Sequence, residues 1–165
     1  MSKTEEHLIE AFAGESQANR KYLAFAEKAD AEGYAQAARL FRAAAEAETV
    51  HAMNHLKALK AIKSTKENLR EAIAGETHEF KEMYPVMIEA ARASGDKAAE
   101  RSFRYANEVE IVHAKLYHAA MEALEASKEE FLYYVCPVCG LTAEKEPPEV
   151  CPVCKAKGSM FKKVE

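Results

Sequence analysis

The chain has 165 residues and a net charge of −4, with 48% hydrophobic and 30% charged residues, a composition for one folded core plus a small appendix and not for a disordered chain. The acidic balance argues against a nucleic-acid partner, and no apolar run approaches the ~20 residues that cross a membrane. The N-terminal MSKTEEHLIE lacks a secretory pattern, so a cytoplasmic protein is expected, with cysteines that are not structural disulfides.

In chain order, helical periodicity and turn residues predict helices over 4–31, 36–62, 66–93 and 97–127. Gly33 and Gly95 mark the turn inside each pair, and Ser64 with Glu67 forms a capping box opening the third helix. Pro137, Pro147, Pro148, Pro152 and all four cysteines fall in the last thirty residues. That shift, between Lys128 and Leu132, predicts a helical domain over 1–130 and a tail over 131–165.

The helical part is a duplication. Glu10-Ala-Phe-Ala-Gly-Glu15-Ser matches Glu71-Ala-Ile-Ala-Gly-Glu76-Thr at an offset of 61, and Glu48-Thr-Val-His51-Ala matches Glu110-Ile-Val-His113-Ala at 62. Glu and His three apart leave the same helix face one turn apart. One Glu from each of two helices, plus Glu-x-x-His from each of the other two, is the carboxylate set of a di-iron or di-manganese centre in a four-helix bundle. A single Glu-x-x-His is usually a surface pair; two in register, each matched by Ala-Gly-Glu, point to metal. Four carboxylates balance two divalent cations, two of them able to bridge, and the imidazoles supply terminal nitrogens.

The small residues Ala13, Gly14, Ala47, Ala74, Gly75 and Ala114 suit close helix approach around such a pair. Glu79 breaks the symmetry, since its counterpart at the 61 offset is Ala18. It is either a bystander or a redox-dependent alternative to His51, because a carboxylate favours ferric iron and a neutral imidazole is adequate for ferrous. Tyr22 and Tyr84 are placed to reach ligand carboxylates, or are plain core tyrosines. His7, His55, His78 and His118 read as surface or packing residues, and Met53, Met83, Met87 and Met121 as core filler.

In the tail, Cys136-Pro-Val-Cys139 and Cys151-Pro-Val-Cys154 offer four thiolates in two knuckles, a tetrahedral site for zinc or a single iron. A segment this short needs the metal to fold. Tyr133, Tyr134, Val135, Val138, Val150 and Phe161 would shield it, and the neighbouring redox site favours iron.

On these motifs, with Tyr134-Val-Cys136-Pro-Val-Cys139-Gly, Ala13-Gly-Glu15-Ser and Ala74-Gly-Glu76-Thr-His-Glu79, the sequence resembles the rubrerythrin family over essentially its whole length. The resemblance implies an all-α, ferritin-like four-helix bundle with a rubredoxin-like C-terminal domain. It implies that Glu48 and Glu110 bridge two irons, that Glu15 serves one iron with Glu79 or His51 exchanging there, and that Glu76 and His113 hold the other. It implies reduction of hydrogen peroxide to water. Electrons would return through an Fe(Cys)4 centre from a rubredoxin or an NAD(P)H-dependent rubredoxin reductase. A ferroxidase, or a bundle with a zinc-ribbon interaction tail, are the competing readings.

One feature departs from the simplest bundle. A 27-residue helix is about 40 Å long, and the return crossover between parallel helices needs at least 11 or 12 extended residues at ~3.5 Å each. Only Lys63, Ser64 and Thr65 lie between the predicted second and third helices. A homodimer that exchanges hairpins between chains is therefore expected.

Overall fold

Ser2 opens the first helix with a capping box closed by Glu5. The structure, a computed structural model, describes residues 1–124, 126 and 129–165. The chain divides into two compact units, Met1–Lys63 and Ser64–Glu165.

The first unit is a helical hairpin of α1 (Lys3–Ala31) and α2 (Ala35–Ala58). Gly33 turns the chain at φ +83°, and the Tyr34 N–H donates back to the Ala29 carbonyl. The two helices meet through alanines: Ala26, Ala29, Ala38, Ala45 and Ala52 are the unit's buried residues. Small side chains bring the backbones close enough for Asn19 Nδ2 to donate to the Ala45 carbonyl at 2.6 Å. Arg42 pairs with Asp30 at 2.7 Å. Such a core removes little apolar area from water, while Leu40 stays 68% exposed and Phe25 47%.

The second unit holds α3 (Thr65–His78), a π-helical turn (Glu79–Met83), α4 (Tyr84–Ser94) and α5 (Lys97–Ala123). The capping box expected at Ser64 and Glu67 is present. Gly95 takes φ +73°, and the Asp96 carboxylate accepts from the Ala98 and Ala99 N–H groups to start α5.

Two helix limits differ from expectation. The second helix ends at Ala58, not at 62, because Lys60 adopts a left-handed φ of 52° and the Ala61 N–H closes on the Leu56 carbonyl. The expected 66–93 helix is interrupted by the π turn. Pro85 has no N–H to give the Lys81 carbonyl, and its ring crowds that carbonyl. One extra residue relieves the clash, and the Tyr84 N–H bonds to the Glu79 carbonyl five residues back.

That extra residue explains the uneven repeat. Before the π turn the copies are 61 apart, as in Glu15 and Glu76. After it they are 62 apart: Tyr22 and Tyr84, Gly33 and Gly95, Phe41 and Phe103, Glu48 and Glu110. The aromatic pairing is repeated too, Tyr22 on Phe41 at 6.3 Å between centroids and Tyr84 on Phe103 at 6.4 Å.

The tail is a three-stranded antiparallel sheet in the order β2–β1–β3, with β1 at Tyr133–Val135, β2 at Thr142–Glu144 and β3 at Lys162–Val164. Tyr134 sits opposite Ala143 on one side and Lys163 on the other. Cys136, Leu141 and Cys151 are buried with Val109 of α5, and Val112 and Phe161 pack against them. The tail thus shares a core with the last helix. Val138 and Val150, expected to shield the cysteines, are each 51% exposed. Met53 and Met87, expected as core filler, are exposed at 41% and 37%, because the buried seam within each hairpin is built largely from alanines, with Tyr–Phe pairs beside it. The expected composition boundary at Lys128 lies outside the described residues.

Gly158 is required by close approach. A Cβ there would stand 2.0 Å from the Pro148 carbonyl oxygen. Gly158→Ala should therefore cost the tail about 3 kcal/mol, read as a lower melting temperature of the metal-loaded tail.

Candidate metal centres

On α1 and α2, Glu15, Glu48 and His51 bring their ligand atoms within 4.8 Å of one another. His51 Nδ1 lies 2.8 Å from Glu48 Oε2 and 4.0 Å from Glu15 Oε1. In the second unit, Glu76, Glu110 and His113 form the same group. His113 Nδ1 lies 2.7 Å from Glu110 Oε2 and 3.8 Å from Glu76 Oε1. The duplication has therefore produced two half-sites of nearly identical geometry, one per hairpin, each with two carboxylates and one imidazole converging on an ion-sized space. Each half-site has the charge and donor types that suit one divalent transition metal.

Electrostatics agree with a cation at this place. Burial and then the neighbouring Glu110 push the Glu76 carboxyl above its usual range. Two carboxylates this close repel unless a proton or a metal lies between them, so a bound cation would relieve the repulsion. Burial, followed by the charges of Glu79, Glu110 and Glu76, raises the Tyr84 phenol. Tyr84 thus keeps its proton in the neighbourhood of those carboxylates.

The other predicted site residues fall as follows. Glu79 is half-buried on the first residue of the π turn and stands outside the Glu76, Glu110 and His113 group. Tyr22 is half-buried against Phe25 and Phe41. Of the small residues, Ala114 is buried, whereas Ala13, Gly14, Ala47, Ala74 and Gly75 are exposed within their units. A Cβ on Gly14 or Gly75 would meet nothing within 4 Å, so no contact inside either unit demands glycine there.

One contact was not legible in the sequence. His113 Nε2, the nitrogen facing away from the carboxylates, lies 3.0 Å from Thr142 Oγ1 on β2. Thr142 is outside every ligand motif, and no spacing rule links it to a residue 29 positions earlier.

The cysteine site is complete. All four sulfurs lie within 4.8 Å of one another, with Cys136 and Cys154 at 3.5 Å and Cys139 and Cys151 at 3.6 Å. A tetrahedral metal with 2.3 Å bonds has sulfur–sulfur edges of about 3.8 Å, so the cluster needs only slight expansion. The knuckles are built alike: Cys136 N–H donates to Leu141 and Gly140 N–H to Cys136, while Cys151 N–H donates to Ala156 and Lys155 N–H to Cys151. Burial pushes the Cys139 and Cys154 thiols up. At Cys151 burial acts the same way, but the N–H groups of Cys154 and Val153 together with the Cys154 and Cys139 sulfurs outweigh it and hold the thiol below its usual value. A thiol eased toward ionisation beside thiols that shed their protons on metal entry is a metal-binding arrangement.

Helical hairpins with paired carboxylate–histidine half-sites, followed by a four-thiolate knuckle domain, define a class of non-haem metalloproteins. The rubrerythrin family model matches residues 6–121, and the model for the rubrerythrin rubredoxin-like domain matches residues 134–162. Rubrerythrin-2 of Clostridium acetobutylicum is 41% identical over 174 residues, covering 96% of this chain and 95% of the relative. Rubrerythrin of Porphyromonas gingivalis is 37% identical, covering 97% and 89%. Among solved structures, nigerythrin in its mixed-valent state is similar at a TM-score of 0.60 and 34% identity, covering 99% of this chain and 88% of the other. The chain belongs to the rubrerythrin family. Its fold is accordingly ferritin-like with a rubredoxin-like tail, its class that of an iron-binding oxidoreductase, and both the family's Glu/His di-iron residues and its four cysteines are in place.

Proposed function

We propose that the protein is a cytoplasmic di-iron peroxidase that reduces hydrogen peroxide to water in oxidative-stress defence, with its electrons supplied through the cysteine centre. The observation that carries this reading is the pairing of two equivalent carboxylate–histidine half-sites with a four-thiolate knuckle domain packed on the helix that bears His113. A store for oxidised iron has no need of that second, electron-carrying site.

Glu48 and Glu110 would be shared between two irons, Glu15 with His51 or Glu79 would hold one, and Glu76 with His113 would hold the other. Two ferrous irons held by these residues would supply the two electrons with which peroxide and two protons become two waters. Tyr84, and Tyr22 in the other copy, orient the ligand carboxylates through their hydroxyls. Cys136, Cys139, Cys151 and Cys154 would hold an iron able to pass on electrons from a rubredoxin or an NAD(P)H-dependent reductase. The functional division follows the composition shift, 1–130 for the peroxide site and 131–165 for the relay.

Neither half-site alone has the ligands for two metals, so the working unit joins the first hairpin of one chain to the second hairpin of another. The linker is longer than the sequence alone suggested, residues 59–64. Its six residues reach about 20 Å, still short of a 24-residue α2 at about 36 Å. The exposed Leu40 and Phe25 of one hairpin, and Val86 and Met87 of the other, are then available to form the shared bundle core that the alanine contacts do not provide.

Anaerobically reduced protein, mixed in a stopped-flow instrument with peroxide or with oxygen, tests the activity. The ferric Fe(Cys)4 visible bands should return at least tenfold faster with peroxide. Preference for oxygen with growth of a ferric core would favour a ferroxidase, and a colourless cysteine site would favour the zinc-ribbon reading.

A further inference from the structure

The two histidines of the repeat are equivalent in sequence and differ in their surroundings. Both present Nδ1 to their carboxylates, at 2.8 Å for His51 and 2.7 Å for His113. In its unit the His51 side chain is 52% exposed, and that of His113 is 26% exposed. His113 also meets the tail. Following only the second copy in sequence, it sets Thr142 Oγ1 3.0 Å from His113 Nε2, while the Thr142 hydroxyl itself turns toward the Gly140 carbonyl at 3.4 Å.

One proton arrangement satisfies both contacts: with the Thr142 hydrogen toward the Gly140 carbonyl, its oxygen is free to accept an Nε2–H of His113. With the proton on Nε2, the lone pair is on Nδ1 and points among Glu76 and Glu110. A metal-ligating imidazole is commonly held in this way by an acceptor on its far nitrogen, which sets both tautomer and ring orientation. Here the acceptor is supplied by the cysteine domain. Thr142 also immediately follows Leu141, whose carbonyl accepts from the Cys136 N–H. Folding of the first knuckle therefore decides where the hydroxyl stands.

We propose that Thr142 is a positioning residue for the helical metal site: it locks His113 as an Nδ1 ligand, so that the tail completes the site as well as supplying it. This rests on the reading that the carboxylate–histidine groups hold metal. It also accounts for which ligand exchanges. His51 has no such anchor within its unit, and its ring can leave when Glu79 competes, whereas His113 is retained in both states.

The test uses the full chain loaded with zinc(II), so it does not depend on peroxide chemistry. Histidine-labelled ¹⁵N spectra should show the His113 Nε2–H in slow exchange with water in the wild type and in Thr142→Ser. In Thr142→Val, which keeps the shape and loses the acceptor, the proton should exchange fast. Zinc affinity at the carboxylate site should weaken about tenfold there, with the cysteine site loading as before. A Thr142→Val protein that matches wild type in either measurement would overturn the proposal. So would a wild-type His113 protonated on Nδ1, an observation that needs no variant. Zinc uptake by the cysteines alone in the wild type would remove the metal reading of the helices and this inference together.

Discussion

Co-expressing a chain that carries Glu48→Ala with a chain that carries Glu110→Ala should restore intact di-metal sites that neither variant forms alone. In a hairpin-exchanged dimer, one bundle of the mixed dimer takes its first hairpin from the Glu110→Ala chain and its second from the Glu48→Ala chain. That bundle is wholly wild type, while the other bundle carries both lesions. With random assortment half of the dimers are mixed, so about one quarter of the wild-type sites and activity should return. If each bundle were built from a single chain, every bundle would contain one lesion and recovery would be nil. The measurement is peroxidase turnover and metal content of the mixture against each variant alone. The physical basis is that each half-site contributes two carboxylates and one histidine, too few to hold two metals. Each hairpin also leaves large apolar side chains in water, Leu40 at 68% and Val86 at 70% exposed.

Removing the metal from the cysteine site should unfold the tail and leave the first hairpin intact. The tail's three strands have three residues each, and its buried residues are Cys136, Leu141, Cys151 and Gly158. So small a core cannot offset the chain entropy of ordering some thirty-five residues. Metal binding to four thiolates contributes on the order of 10 kcal/mol in comparable small domains, which is the larger quantity. Hydrogen exchange reads the outcome. After chelation, the Cys136, Gly140, Cys151 and Lys155 amides, each bonded within a knuckle, should exchange at unfolded rates, while amides of α1 and α2 keep their protection. Persistent protection of the knuckle amides in metal-free protein would sink this account.

How much could be read from the residues varies with the range of the interactions. Helices, capping boxes and the turns at Gly33 and Gly95 depend on neighbours three or four positions apart, so their signals are local. The two candidate Glu–Glu–His groups were legible because a duplication repeats them, and Cys-x-x-Cys because a knuckle is a local turn. The shift of the repeat from 61 to 62 was visible as well. The Glu15–Glu76 and Tyr22–Tyr84 matches place it between Glu76 and Tyr84, but do not give its form, because a π turn differs from an α turn only in which carbonyl an amide chooses.

Composition, periodicity and the doubled motif determined the helical class, the two metal-binding donor sets and membership of the family those motifs suggested. Tertiary structure decided what depends on distant residues meeting. It gathers each Glu–Glu–His triplet inside its own hairpin, lets alanines rather than methionines make the hairpin contacts, and leaves Val138 and Val150 in water. It also brings Thr142 to His113 across 29 positions. The reason is one of scale: local backbone preferences act over about one helical turn, whereas the packing of the tail on Val109 and Val112 depends on the shape of two surfaces that only the folded chain possesses.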